Sequence, residues 1–580
     1  MTEDEYKSLV TAQINQIVDN IFFDTGGKLC DQSIDPPQIA SSIRAFGVEV
    51  LQGLSEDDLN EFLLTNWIYA NYYQNRTSTP VPTAQAQVNS RHFPFKEPFW
   101  NDPDRYWRNR FWRYDTQQVQ EREQAVLTRG FETRIVTSQQ FVEDELIFET
   151  FEKENEPLIE EEVKYLSMVF PKFQIGKTEK FVFGKQPLDD DGQGGIIRFY
   201  LHLDPTQLTR SIPHILTKIN QYFNERLIPF HIKFWSETAG FVRADNMVLY
   251  LERRHFFVAG LLLTSLYDDI KKYLDKDRLP YFVREAMPGI GFAKSPQKGE
   301  QSFGSTRAKA LANAILKLHK NPDVKPVLEH LDEVWGGIQY FYLNPKPSFI
   351  YDFSVFEQKN IVLFRDEKED EFLSAAWSIA KLLCREAIWV AEGQCNWMSY
   401  QPIDKDRNGY CLLGVNNGFK GLEGVITFLR ALSVLGIRDT VIDYVFEAAK
   451  EYFQKNGGEF RITPVAPPLT LFAQQKNIFV LPIEFKSETF SGEVKDIITK
   501  EETPDINNYP SIRNVLQQHI MEERPLGNML DGTDHFCADM RYGLAAYGYV
   551  FLRLYDPKRI IRLTEPESGN LNLFPSLNVF

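Results

Sequence analysis

Cysteine is scarce: Cys30, Cys384, Cys395, Cys411 and Cys537 are the only five in 580 residues. Thiols so few and so unevenly spread argue against a disulfide framework and leave reduced cysteines as the default. Long apolar runs are also missing. Nothing approaches the roughly 18 uninterrupted apolar residues that read as a membrane span, and the acidic start Met1-Thr-Glu-Asp-Glu5 lacks the shape of a signal peptide. The expectation is a cytoplasmic protein with no membrane partner. Nor is there a basic excess. A formal net charge of −16 and a pI near 5.2 argue against nucleic acid as a partner, because broad binding of that kind depends on a basic surface that neutralises phosphates. Any anion site must therefore be local.

Common phosphate and metal motifs are absent or incomplete. There is no P-loop, and Gly289-Ile-Gly291 lacks the remaining spacing of a dinucleotide fingerprint. Asp404-Lys-Asp406-Arg-Asn408-Gly409 begins like a calcium loop, but position twelve is Val415 instead of a bidentate Glu. His535-Phe-Cys537 is the one close His and Cys pair, which is too little for a zinc site. No metal and no cofactor are expected.

What is present is globular and large. Hydrophobic content of 43% with 25% charged residues is ordinary for a folded protein, and 580 residues suggest two to four domains. Helical spacing of apolar residues runs from Tyr6 to Val18 and from Leu59 to Tyr73, with Ser55 placed as an N-cap for the second helix. Residues 77–90 read as a loop, 93–114 are crowded with aromatics and arginine, and 143–162 are strongly acidic, as a solvated surface would be. From about 163 the pattern mixes strands (179–183, 196–203, 230–235, 246–251) with helices near 212–225, 257–274 and 305–320. A linker is expected around 344–358, followed by mainly helical patterns.

The run from Pro229 to Leu251 is the most informative. At the strand period of two, Phe230, Ile232 and Phe234 face one side while His231, Lys233 and Trp235 face the other. The upstream strand alternates in the same way, putting Phe199, Leu201 and Leu203 on one face and Arg198, Tyr200 and His202 on the other. Arg198, His202 and Lys233 can thus share a cleft, and strands with cations on one face suit an anion.

Later residues add Ala286-Met-Pro-Gly289-Ile-Gly291 and Gln301-Ser302-Phe303-Gly304-Ser-Thr-Arg307. Taken in order with the Lys233 and Arg243 to Tyr250 runs, these motifs resemble the HopA-type effector family. That family includes lyase components of class V lanthipeptide and thioamitide biosynthesis. The resemblance spans roughly 50–325 and is strongest from 196 to 310. It implies β-elimination of phosphate from phosphorylated Ser or Thr, which needs a base for the Cα proton, donors for the phosphate and an acid for its departure. In that scheme Lys233 is the base, made neutral in part by Arg198 or Arg243 nearby. His202 is a candidate acid, and Tyr250 orients Lys233 or bonds phosphate. Arg198, Arg243 and Arg307 contact the phosphate through their planar forks, Arg307 at a turn leading into a helix. Each has a plainer alternative: Lys233 a surface lysine, His202 and Tyr250 ordinary strand residues, Arg243 a partner for Asp245.

A second resemblance lies further on. Cys395-Asn-Trp397, Cys411 to Gly424 and Tyr542 to Pro557 resemble hairpins of a LanC-like cyclase, whose glycine-rich turns feed inner helices of an α/α toroid. Too few residues separate them for the full set, and the paired Cys-His zinc motif is missing, which implies a degenerate copy.

The expected fold is α+β: a helical N-terminal lobe (1–162), a small antiparallel-sheet lyase-like domain (163–343) and a mostly helical, truncated toroid-like domain (359–580). The expected function is a phosphoserine/phosphothreonine lyase acting on a phosphorylated precursor peptide, with kinase and cyclase proteins as possible partners. The alternatives are a non-catalytic phosphopeptide-binding scaffold and a C-terminal domain with residual zinc cyclase activity.

Overall fold

The computed structural model describes residues 3–23, 29–32, 55–74, 106–114, 124–129, 132–137, 141–143, 147–151, 159–163, 166–175, 179–188, 195–235, 238–295, 302–320, 363, 370–391, 393–402, 408–415, 421–456, 492–499, 503–514, 516–517, 538 and 544–560. The chain forms two compact units, residues 1–106 with 171–360 and residues 107–170 with 361–580.

The first unit is built on seven antiparallel strands: β1 (Phe173–Ile175), β2 (Glu179–Phe183), β3 (Ile196–Leu201), β4 (Phe230–Trp235), β5 (Met247–Glu252), β6 (Arg284–Met287) and β7 (Ile290–Lys294). Their order across the sheet is β1-β2-β4-β5-β3-β7-β6. The expected alternation is complete on β4, where His231, Lys233 and Trp235 are half-buried, but on β3 and just beyond it Tyr200 and His202 are buried as well. Phe230, Ile232 and Phe234 on β4, Ile197, Phe199 and Leu201 on β3, and Leu249 and Leu251 on β5 are all buried. Two helices supply apolar residues to this core, α3 (Leu208–Glu225) through Ile212, Ile215, Leu216, Ile219 and Phe223, and α4 (Phe256–Ile270) along most of its length. Phe223 meets Phe230 edge-on at 5.6 Å, and Phe256 stacks on Phe199 at 5.9 Å. The tight β6–β7 turn uses Pro288-Gly289, with Gly289 at φ +82°. The glycine pair of the rejected nucleotide motif therefore serves a hairpin.

Helices α1 (Glu3–Asn20), α2 (Glu56–Ile68) and α5 (Phe303–Lys320) complete the unit. Ser55 caps α2, its hydroxyl accepting from the Asp58 amide at 3.2 Å. Beyond α2 the chain widens into a π-helical turn, Tyr69–Tyr73. Gly304 at the start of α5 lies so close to the Tyr73 ring that an added Cβ would come within 2.3 Å of it. From α1, Gln13 accepts from the Phe282 amide at 2.9 Å and Tyr6 donates to the Phe282 carbonyl at 2.7 Å. These bonds hold a buried residue whose φ is +67°.

The N-terminal lobe is not helical throughout. The described residues between 106 and 163 are strands, four of which join Leu166–Pro171 in a five-stranded sheet with the order Glu132–Thr137, Gln124–Arg129, Tyr106–Tyr114, Leu166–Pro171, Phe141–Glu143. Aromatic and β-branched residues in Tyr106–Tyr114 and Ile135-Val-Thr137 suit a pleated surface. The acidic stretch supplies both strands of an antiparallel pair, Ile147–Phe151 with Ile159–Val163.

The second unit also holds helices Glu371–Glu386, Leu422–Val434, Thr440–Lys455, Gly492–Thr499 and Leu544–Tyr555, with hairpins at 388–396 and 398–412. Gly548 admits the Phe428 ring, and buried Arg553 donates to the Ile497 and Ile560 carbonyls at 2.8 and 2.6 Å. Cys30, Cys384 and Cys395 are free thiols. The calcium-like run 404–407, the linker 344–358, and His535 and Cys537 lie outside the described residues. Among the described residues, no helix is long and apolar enough to cross a membrane.

Asn246, fully buried before β5, fixes where that strand begins. Its amide pairs with both backbone groups of Leu203, at 2.8 and 2.9 Å, and also donates to the Phe241 carbonyl at 3.2 Å. Asn246→Ala leaves these groups buried without a partner, so the unit should lose about 2 kcal/mol or more in denaturant unfolding. An unchanged midpoint would contradict that role.

Candidate functional site

The sheet face opposite α3 and α4 carries the ionisable residues. Register places His231, Tyr250 and Arg198 side by side across β4, β5 and β3, with Lys233, Val248 and Tyr200 forming the next row. On the outer side, Phe183 and Phe181 of β2 stand opposite His231 and Lys233. Phe181, Phe183, His231, Lys233, Trp235, Tyr250 and Arg198 are all half-buried, so this part of the face is open to a ligand.

Lys233, Arg198 and Tyr250 come together here. The Arg198 guanidinium lies 5.2 Å from the centre of the Tyr250 ring, and the His231 ring is 4.4 Å from the same ring on its other neighbour strand. Arg198 Nε donates to Ser295 Oγ at 2.6 Å, which leaves its terminal nitrogens beside the phenol groups. Lys233 leans the other way: its Nζ is 2.5 Å from Glu179 Oε1 and 5.0 Å from the Trp235 ring centre. The neighbour expected to shape Lys233 was a cation, but the nearest charged group is this carboxylate.

Arg243 joins the face from below. Its guanidinium sits 4.2 Å from the centre of the same Trp235 ring and grips Asp245 through two nitrogens, at 2.6 and 2.7 Å. Burial opposes the charge on Arg243, but Asp245 and the Tyr69 hydroxyl outweigh it and hold the guanidinium firmly protonated. Tyr69 accepts from Arg243 Nη2 at 3.0 Å, while Tyr73, four residues on, donates to the Tyr200 hydroxyl at 3.1 Å. Their two rings stack 5.2 Å apart. The π-turn thus sets two phenols against the site, a placement often found where helices serve function. Burial pushes Tyr200 up to about 12 and Tyr73 well above the ordinary phenol value, so both remain hydrogen donors.

The other two expected residues, His202 and Arg307, are buried, unlike this half-open row. His202 is fully enclosed, with Nδ1 2.7 Å from the Arg278 carbonyl and 3.9 Å from Asp275. Burial outweighs the Asp275 charge and lowers its pKa, which favours a neutral ring that ties down the 275–278 loop. Arg307 is buried on α5, its guanidinium 4.1 Å over the Phe303 ring and donating to Thr306 Oγ1 at 3.1 Å. It lies near Lys294, whose pKa falls through burial and through the charges of Arg253 and Arg307.

His231 is the residue whose importance the sequence conceals. Burial, then the Arg198 and Lys233 charges, pull it down to about 3. It is therefore a neutral imidazole between two cations. Alternation places it on the right face, but nothing in the sequence tells which cations flank it. Glu179, Tyr69 and Tyr73 carry no local signal at all, since their partners are more than fifty residues away. Among the described residues, no cluster of three or more His, Cys, Asp or Glu side chains forms a metal site.

The geometry is that of a small cationic, aromatic-walled face within an acidic protein, and it falls inside a recognised segment. Residues 174–343 match the HopA1 effector protein family. That segment holds β2 to β7 and α3 to α5, so every residue of the face except Tyr69 and Tyr73 lies within the match. Among solved structures, the chain is similar to the effector protein from Pseudomonas syringae pv. syringae strain 61. The identity is 12% and the TM-score 0.25, covering 51% of this chain and 91% of that one. It is also similar to the effector protein from P. syringae pv. tomato strain DC3000, at 16% identity and TM-score 0.22, covering 26% of this chain and 55% of that one. The chain thus spans only about half the length of the latter. No curated protein matches.

The flanking cations give a direct test of the face. In NMR titration His231 should take up its proton far below pH 6.5, and Lys233→Ala should raise that midpoint by removing one repelling charge. A midpoint near 6.5 in the native protein would contradict the arrangement.

Proposed function

We propose that this face eliminates phosphate from phosphoserine or phosphothreonine in a precursor peptide, as lyase components of lanthipeptide-type biosynthesis do. The observation that carries the reading is the meeting of Arg198, Tyr250, His231 and Lys233 on one half-open sheet face. In the proposed reaction the neutral Lys233 amine removes the Cα proton. The Cα–H electron pair becomes the Cα=Cβ bond, the Cβ–O bond breaks, and phosphate departs with the bridging oxygen.

Arg198 and the Tyr250 hydroxyl offer donors to the phosphate as its charge grows. Arg243 acts at one remove, locked to Asp245 and stacked on the ring that Lys233 also touches. Protonation of the leaving phosphate falls to Lys233, which has just gained a proton and stands on the same face, because His202 is enclosed against a carbonyl. Before any of this Lys233 has to leave the Glu179 carboxylate, 2.5 Å away, and give its proton to solvent. In this reading a separate kinase supplies the phosphorylated residue. In this reading the 359–580 region is a degenerate LanC-like remnant that grips the peptide, with cyclisation left to a partner.

The same ion pairs support a second reading. With Lys233 held by Glu179 and Arg243 by Asp245, the face resembles a phosphopeptide-binding surface without turnover. Mass spectrometry of a synthetic phosphoserine peptide separates the two. Under the first reading the native protein dehydrates the peptide, Lys233→Ala lowers the rate by about 100-fold or more, and Arg198→Ala weakens both binding and rate. Binding without dehydration, insensitive to Lys233→Ala but lost in Arg198→Ala, would favour the scaffold.

A further inference from the structure

Beside the cations runs a strip of phenyl rings that phosphate chemistry does not need. Phe181 and Phe183 stack 6.4 Å apart on β2, and each meets the His231 ring near its edge, at 6.2 and 6.0 Å. All three are half-buried. Register sets Phe181 against Lys233 and Phe183 against His231, so the strip lies one strand beyond the proposed base, on the side away from Arg198. Adjacent strands are about 4.8 Å apart.

We propose that the Phe181–Phe183 strip is a specificity subsite that takes an apolar side chain one or two positions from the phosphorylated residue. The inference rests on the lyase reading. A phosphoresidue whose phosphate reaches Arg198 and whose Cα stands at Lys233 has β2 beside it on the side away from Arg198. Consecutive Cα atoms lie about 3.8 Å apart, so a peptide crossing β2 lays a neighbouring side chain on the two rings. Charge points to the same occupant. The cations face the phosphate end, whereas the rings offer nothing to an acidic or strongly hydrated neighbour, and burying an apolar group there is favourable. The rings also help to desolvate His231, and that duty alone would change the titration of His231 without giving any peptide preference.

The test uses the full-length protein and synthetic phosphoserine peptides that differ only in carrying Leu or Asp at the positions flanking phosphoserine. Dehydration is followed by mass spectrometry and binding by fluorescence anisotropy. The native protein should prefer the Leu peptide by about ten-fold or more in kcat/KM. The double variant Phe181→Ser, Phe183→Ser should lose that preference while retaining turnover of the Asp peptide. If the native protein binds the Leu peptide at least ten-fold tighter yet dehydrates neither, the subsite stands and the lyase reading falls. Equal handling of both peptides by the native protein overturns the subsite, and needs no variant to fold.

Discussion

Everything at the site depends on one-sided burial of the central strands. Full burial of a residue such as Phe, Leu or Ile is worth roughly 1.5–3 kcal/mol. Phe230, Ile232 and Phe234 together therefore contribute an amount comparable to the whole net stability of a typical domain, about 5–15 kcal/mol. A slip of one residue would drive His231 and Lys233 into the apolar layer and expose those three side chains. The register is fixed by that penalty, and the cations are presented on the opposite face as its consequence. Phe199 and Leu201 on β3 impose the same choice on Arg198, so two strands joined only through β5 deliver their charges to one surface.

Once gathered, these charges have to be held in an environment that is only partly wet. The structure manages this with acids of its own: Asp245 takes both nitrogens of Arg243, and Glu179 takes Lys233. Tyr69 and Tyr73 supply further hydrogen bonds from a helix outside the family-matched segment. His231 is left as the one group that yields, remaining neutral because two cations and partial burial disfavour its charge. In a protein of net charge −16, this is a local reversal of sign enclosed by aromatic rings.

Much of the sheet was legible because period-two alternation is a local signal. The bounds expected for residues 179–183 and 230–235 coincide with β2 and β4, and Ser55 caps its helix as its position suggests. Strands between 106 and 163 were harder, since an aromatic, arginine-rich block and a run of glutamates show composition more clearly than period. At the site, alternation put Arg198, His202 and Lys233 on a shared face, of which His202 is enclosed; Tyr250 entered through the family resemblance, and the Glu179–Lys233 ion pair had no local signal. That pairing is set by how β2 aligns with β4, about fifty residues later. The enclosure of His202 depends on a carbonyl at Arg278, which no pattern around His202 reveals.

The most direct measurement of the central claim is the chemical identity of the peptide after incubation with the native protein. A phosphoserine peptide should be recovered one water lighter than its unphosphorylated counterpart, with inorganic phosphate released in equal amount. Recovery of an intact phosphopeptide, or of plain serine formed by hydrolysis, would contradict phosphate elimination on this face.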